Sequence, residues 1–460
     1  LARPVAEKVR RTKAMTEAAG ISSPRFQSDT EDAEGAKDAK FKAKLAMFEQ
    51  STSAADAAEG RTAEGRKTNR GLTISAGCAK KKEDSEDVAV LRSDKRAATM
   101  PAIGMRRGDH LLTEEATQKL VEAQKVLQAR RRRGSEAVSS SVIPESALVA
   151  LWNDSEQISC HVHGIISKTA QAHGDERVWS QMFGAETLPG GDKKPCISCL
   201  KGSKGFRDTT PNQDNFSLTY FVNGWALACA FDGHGPFGHY VSTRTVETVP
   251  YYLAHSHDFP TDMKKALIEA FERSHKEVVA KSLEEGWDVQ ASGTTACAAI
   301  WKGNEIYTAN CGDSRCVVGT ESEKKLTYET LDHKPDGKAE RQRIEESGGE
   351  VRTQTYPDGW VNYRIFVKGE DYPGLCMART LGDESVKAYG VIATPEIGYT
   401  TVDMAKQPFM ILASDGVWEF LDSTFVVKAV ARKILSEGPE NTVKKLQREA
   451  KKRWKQEEGD

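Results

Sequence analysis

Two short segments pair a carboxylate with a glycine directly after an apolar run. Phe231-Asp232-Gly233-His234-Gly235 follows Trp225 to Ala230, and Ser414-Asp415-Gly416 follows Phe409 to Ala413. A near-continuous apolar run of this length predicts a buried strand. Each Asp then sits where a core strand emerges, and the Gly after it lets another group approach the backbone. Carboxylates on rigid strand ends suit a hard divalent cation, which takes oxygen ligands. Asp-Gly is also a common turn dipeptide, so a plain turn stands beside the metal reading for either segment alone.

Further polar clusters repeat the pattern. Gly312-Asp313-Ser314-Arg315 follows a strand ending at Asn310, and Leu381-Gly382-Asp383 supplies another Gly-Asp pair. Both read as turns. Gln213-Asp214-Asn215 precedes the apolar stretch Phe216 to Val222. Cys196-Ile197-Ser198-Cys199 has zinc-ligand spacing, with Cys160 and His163 available to complete a set; one C-x-x-C is a weak signal. The nine Cys are otherwise scattered, and buried free thiols in a reducing compartment are the plain expectation.

The elements that must hold these groups alternate short apolar runs with a few helices. The expected helices cover Ser146 to Trp152, Asp175 to Phe183, Phe237 to Leu253, Asp262 to Leu283, a stretch capped by Ser423, and Glu440 to Gln456. Thr294 to Trp301 and Glu305 to Ala309 read as a hairpin around Lys302-Gly303-Asn304, with further strands at Cys316 to Val318 and Phe409 to Ala413. Antiparallel sheets flanked by helices, an α+β class, are the expectation.

Composition divides the chain. All eight Trp lie at or after Trp152 and all eleven Tyr at or after Tyr220. Leu1 to about Val142 buries little apolar surface and reads as mostly disordered, apart from a basic helix from Thr113 to Arg133 ending in four arginines. Those arginines read as a nuclear address, an anionic docking patch or a solvated run. Residues 143–194 read as a lead-in segment and 195–460 as the packed domain. With 65 basic and 67 acidic residues the net charge is −2, so no bias points to nucleic acid. No apolar run approaches the roughly 18–20 residues of a membrane span. The chain begins with Leu, so it is expected to be a piece of a longer protein.

The order of motifs resembles the metal-dependent protein phosphatases of type 2C, in their plant-like and protist-like form. The matching segments are Pro211-Asn212-Gln213-Asp214, Asp232-Gly233-His234-Gly235-Pro236-Phe237-Gly238-His239, Ser292-Gly293-Thr294-Thr295-Ala296 and Ala309 to Arg315. Asp332-His333-Lys334-Pro335, Glu345 to Val351, Ala378 to Asp383, Thr394-Pro395-Glu396 and Leu412 to Trp418 continue the series. The resemblance implies an α/β/β/α sandwich of two antiparallel sheets and a protein-serine/threonine phosphatase. It implies two Mg²⁺ or Mn²⁺ ions, with Asp232 bridging both, the Gly233 carbonyl on one and Asp415 on the other. Asp214 belongs to the same metal set, and Asp313 to a third, weaker site. Two such ions about 3.5–4 Å apart acidify a shared water, whose hydroxide attacks phosphorus. His234 would be the acid for the leaving oxygen; a capping imidazole is its bland alternative. Arg207 is the nearest candidate for the family's phosphate-binding arginine, although its spacing is irregular. Phosphorylated proteins are the implied partners, with a monomer in the cytoplasm or nucleus expected.

Two departures stand out. Gln213 replaces a Glu found in many animal members, which removes a charge. No acidic pair and apolar strand follows the Glu440 to Gln456 helix, so the domain is expected to lack its last strand and one carboxylate. That motivates the alternative of a catalytically impaired, phosphatase-like binding or regulatory module.

Overall fold

The computed structural model describes residues 142–167, 175–184, 195–202, 210–355 and 361–458. The expected N-terminal tail and its basic helix, the linker from Ser135 to Ser141, and Arg207 lie outside the described residues.

The chain opens with α1 (Glu145–Trp152), β1 (Ile158–Ile166), β2 (Arg177–Trp179), β3 (Asn215–Phe221), β4 (Ala226–Phe231) and β5 (Gly233–His234). Then come α2 (Gly238–Ala254), α3 (Met263–Glu285), β6 (Gly293–Thr294), β7 (Ala296–Lys302), β8 (Glu305–Cys311), β9 (Arg315–Thr320) and β10 (Lys325–Glu329). A third stretch holds α4 (Lys338–Glu346), β11 (Gly349–Thr355), β12 (Val361–Val367), β13 (Pro373–Leu375), β14 (Leu381–Gly382) and α5 (Glu384–Lys387). It closes with β15 (Glu396–Thr401), β16 (Pro408–Ala413), α6 (Asp415–Trp418) and α7 (Ser423–Glu458).

The named strands pair antiparallel. One sheet runs β15-β8-β7-β4-β3-β1-β2, a second runs β10-β9-β16, and two small sheets run β11-β12-β13 and β14-β6-β5. The first two sheets pack face to face through Cys297 and Ala299 on one side and Cys316, Met410 and Leu412 on the other. On the outer face of the large sheet, Leu227, Phe231 and Ile300 bury against Val246, Leu253, Leu267 and Phe271 of α2 and α3. Beyond the small sheet lies α7: a methyl on Gly319 would run into Val427 and Phe409. The layers are therefore α/β/β/α, as expected.

Local chemistry accounts for the elements that hold the site. The α3 helix starts where the Asp262 carboxylate accepts the Lys265 N–H and stops at Gly286, whose φ of 77° suits a residue without Cβ. The hairpin around Gly303 forms as the alternation predicts, with Lys302 paired to Glu305.

Several expectations change. Asp175 to Phe183 is not a helix: Arg177–Trp179 pairs with Gly164–Ile166, because β-forming Val178 and Trp179 can complete a sheet edge. The lead-in does more than pack against the domain, since β1 is a member of the large sheet, in register with β3. Thr294 does not begin the hairpin strand; it bridges β5 and β14 in a separate small sheet. The cap of α7 is Asp422, whose carboxylate accepts the Phe425 N–H, while the Ser423 hydroxyl instead accepts from Arg315. The β16 strand is half-buried rather than buried, being paired on one side with β9.

A buried ion network ties α1 to the core. The Arg244 guanidinium donates to Glu277 and Glu145 and to the Ile143 carbonyl. Arg244 and Glu277 are 4% and 1% exposed, so neither charge has water as an alternative partner.

Candidate metal and proton-transfer site

The large sheet delivers the first group. At the end of β4, the Asp232 N–H donates to Thr295 Oγ1 at 3.0 Å, and the Thr295 N–H returns a bond to the Asp232 carbonyl at 2.9 Å. Thr295 Oγ1 also lies 2.6 Å from Ser314 Oγ, beside Asp313 in the β8–β9 turn. The Ser414 hydroxyl donates to Asp214 Oδ2 at 3.3 Å, which joins the segment before β3 to the turn carrying Asp415. Asp214, Asp232, Asp313 and Asp415, separated by up to 201 positions in sequence, are thereby gathered at one end of the two facing sheets.

Their mutual field is strong. The Asp232 carboxyl is held well above its ordinary pKa by burial first, then by the negative charges of Asp214, Asp415 and Asp313. Asp313 is 1% exposed; its Oδ2 accepts from Lys334 Nζ at 2.6 Å, while its Oδ1 has no hydrogen-bond partner among the described residues. A Cβ on Gly233 would fall 2.5 Å from the Gln213 carbonyl oxygen and 2.6 Å from that of Gly238, so three backbone segments meet where only glycine fits. An all-oxygen, carboxylate-rich set with surplus negative charge and an orphaned buried oxygen is chemically matched to a hard divalent cation. As placed, no three His, Cys, Asp or Glu side chains among the described residues stand close enough to grip an ion between them.

The residues of the candidate zinc set have other contacts. Cys160 and His163 are three apart on β1 and so face opposite sides of the sheet. His163 pairs with His161 at 3.2 Å, and Cys199 Sγ accepts from Asn212.

His234 lies in β5, directly after Asp232 and Gly233. Its Nε2 is 2.7 Å from Asp383 Oδ2, and its buried Nδ1 has no partner among the described residues. Burial by itself would lower the His234 pKa, but the adjacent Asp383 carboxylate outweighs it and holds the imidazole above its ordinary value. The sequence reading treated Asp383 as a turn residue. Its φ is 46°, in the left-handed region that Asp is one of the few residues to tolerate. Gly293 completes the arrangement, since any side chain there would collide with both members of the pair.

The remaining motifs brace this site. His333 Nδ1 accepts the Gly312 N–H, and the His333 N–H donates to the Gly312 carbonyl, so the segment 332–335 is clamped to the Asp313 turn. Arg315 grips Asp332 with two bonds of 2.8 and 2.7 Å. Arg379 is committed to Glu340 and the Thr394 carbonyl. Gln213 spends its amide on the Gly235 carbonyl at 2.6 Å. Two cationic side chains also bear on the site's surroundings: Lys334, of the 332–335 motif but given no role from sequence, and Arg364, which sequence reasoning did not single out. The charges acting on the Cys376 thiol, after burial, are those of Asp313, Lys334, Arg364 and Asp415. Arg364 is tethered by the Gly374 carbonyl at 2.7 Å on the β12–β13 hairpin.

Comparison with known proteins finds a family and relatives. The family profile described as protein phosphatase 2C matches residues 204–458. Probable protein phosphatase 2C 61 of Arabidopsis thaliana is 35% identical over 256 residues, covering 54% of this chain and 75% of that protein. Probable protein phosphatase 2C 64 of Oryza sativa subsp. japonica is 37% identical over 238 residues, covering 50% of this chain and 54% of the rice protein. The crystal structure of serine-threonine phosphatase 2C from Toxoplasma gondii aligns with a TM-score of 0.46 at 22% identity, covering 53% of this chain and 85% of that one. A profile match over more than half of the sequence, together with the acidic cluster and its histidine, establishes that the chain belongs to the protein phosphatase 2C family.

Proposed function

We propose that the protein hydrolyses phosphoserine and phosphothreonine in phosphorylated proteins, using Mg²⁺ or Mn²⁺ held by Asp232, the Gly233 carbonyl, Asp415, Asp214 and, more weakly, Asp313. The observation that carries this reading is the His234–Asp383 pair set two residues from the buried carboxylate of Asp232. Divalent cations, when bound, supply positive charge that acidifies water and neutralises phosphoryl oxygens.

The protein's own groups do the rest. His234 is bonded to Asp383 through Nε2, so Nδ1 is the atom from which a proton passes to the departing serine or threonine oxygen as the P–O bond breaks. Asp383 stabilises the imidazolium before that transfer and keeps the ring from turning. Lys334, bonded to Asp313, places positive charge beside the carboxylates; Lys334 and Arg364, whose charges both reach the Cys376 thiol, are assigned to the phosphoryl oxygens, the role expected of Arg207.

Release of phosphate from a phosphothreonine peptide by the purified protein tests the proposal. Turnover should appear with Mn²⁺ or Mg²⁺, vanish with a chelator and return on resupply; absence of metal-dependent turnover refutes it. The committed amide at Gln213 favours a second reading, a phosphoprotein-binding module with weak cation affinity. Phosphopeptide binding without turnover at millimolar Mn²⁺ would select it.

A further inference from the structure

The turn that carries Asp415 is held by two indoles, one of its own and one from the far end of α7. The α6 helix is four residues long, too short to satisfy its own carbonyls. The Asp415 carbonyl accepts the Glu419 N–H at 2.8 Å. The Ala413 carbonyl, just before the turn, accepts Trp418 Nε1–H at 2.9 Å. The Gly416 carbonyl accepts Trp454 Nε1–H at 2.7 Å, from a residue 38 positions further along the chain.

Both rings are themselves fixed. The Arg315 guanidinium, locked by Asp332, sits 5.4 Å from the centre of the Trp418 ring. Trp454 meets Phe420 edge to face, with centroids 4.8 Å apart at 79°. The part of α7 that bears Trp454 follows a break at Gly438, where φ is 78° and ψ 160°. It has its own anchors in buried Leu446 and Ala450, and the Ser198 hydroxyl donates to Gln447 at 2.8 Å. This half-helix thus has anchors of its own, besides the indole N–H that reaches the Gly416 carbonyl.

We propose that Trp454 is a positioning residue for cation binding: its bond to the Gly416 carbonyl holds the neighbouring Asp415 carboxylate in place, so that docking of the last half-helix sets metal affinity. The inference rests on Asp415 being a cation ligand.

Trp454→Phe keeps a ring against Phe420 and removes the N–H. Loss of one such bond should weaken Mn²⁺ binding about fivefold to tenfold, as measured by titration calorimetry on the purified protein. The Mn²⁺ concentration giving half-maximal hydrolysis of p-nitrophenyl phosphate should rise by a similar factor, with rate recovered at high Mn²⁺. An unchanged Mn²⁺ Kd, with or without a lower Tm, overturns the proposal by reducing Trp454 to a packing role. If the parent protein binds no Mn²⁺ in calorimetry, the metal reading of Asp415 fails instead, and this inference falls with it. Should Trp454→Phe fail to fold, Phe420→Leu loosens the ring on which Trp454 leans and leaves both bonding groups present. It should weaken Mn²⁺ binding in the same direction, and no change again refutes the proposal.

Discussion

Gly293→Ala isolates the proton-transfer pair from the metal ligands. The added methyl would stand 2.7 Å from Asp383 Cγ and 2.8 Å from His234 Nε2, and nearer still to Asp383 Oδ2. Real Cβ atoms essentially never approach a heavy atom closer than 3.0 Å, and ordinary contact begins at 3.4 Å. Reaching ordinary contact therefore needs shifts of roughly 0.6–0.7 Å at Asp383 Cγ and His234 Nε2 and about twice that at Asp383 Oδ2, the bonded atom, beyond what a 2.7 Å charge-assisted bond tolerates. Displacements near 1 Å at a reacting group cost on the order of 10²-fold in rate, about 2.7 kcal/mol of barrier. The assay is a comparison of two substrates at saturating Mn²⁺. A phosphothreonine peptide has a poor leaving group and needs the proton, so its kcat should fall about 10²-fold. The nitrophenolate of p-nitrophenyl phosphate departs without one, so its kcat should fall only a few-fold. Equal losses on both substrates would show that Gly293 supports the metal site or the fold, and that His234 is not the acid its partner makes it here.

Other outcomes follow from the same contacts. Asp383→Asn should repeat the substrate split of Gly293→Ala, because a neutral amide cannot stabilise the imidazolium; a variant that loses both activities alike contradicts this. Arg364→Met should raise KM for the phosphopeptide more than it lowers kcat, in steady-state kinetics. Arg244→Ala strands the buried Glu277 carboxylate and should cost about 3–5 kcal/mol in urea unfolding. Glu340 gives a pH signature: burial alone would raise its pKa, but bonds from Arg379 and then Arg343 prevail and hold it at about 2. Its folded pKa is depressed, so its contribution of about 3 kcal/mol is present above the unfolded value near 4.5 and lost as pH falls toward 2. The Tm gap between the parent and Glu340→Gln should close across that window. Finally, a protein starting at residue 195 loses β1 and β2 and exposes the β3 edge, so it should fail to fold cooperatively in thermal melts.

Local signals decided much of this molecule without help. Short apolar runs bounded by turn residues pointed to buried strands, so β4 and β7 and the carboxylate following β4 were legible at once. The 3.6-residue periodicity and Asp262 cap set α3, and the ordered motifs around Asp232, His234, Asp313 and Asp415 identified the family. Tertiary structure decided what local chemistry leaves degenerate. A three-residue segment such as Arg177–Trp179 has no stable preference of its own, and the open edge beside Gly164–Ile166 made it a strand. Gly-Asp dipeptides look alike in sequence whether they turn or ligate. Asp383 differs because a strand pairing brings it to His234 across 149 positions, and Lys334 because the clamp on Gly312 brings it to Asp313. Whether a polar side chain acts or merely turns the chain depends on the charges it meets through space, and those partners are set by the packing of sheets and not by neighbours in sequence.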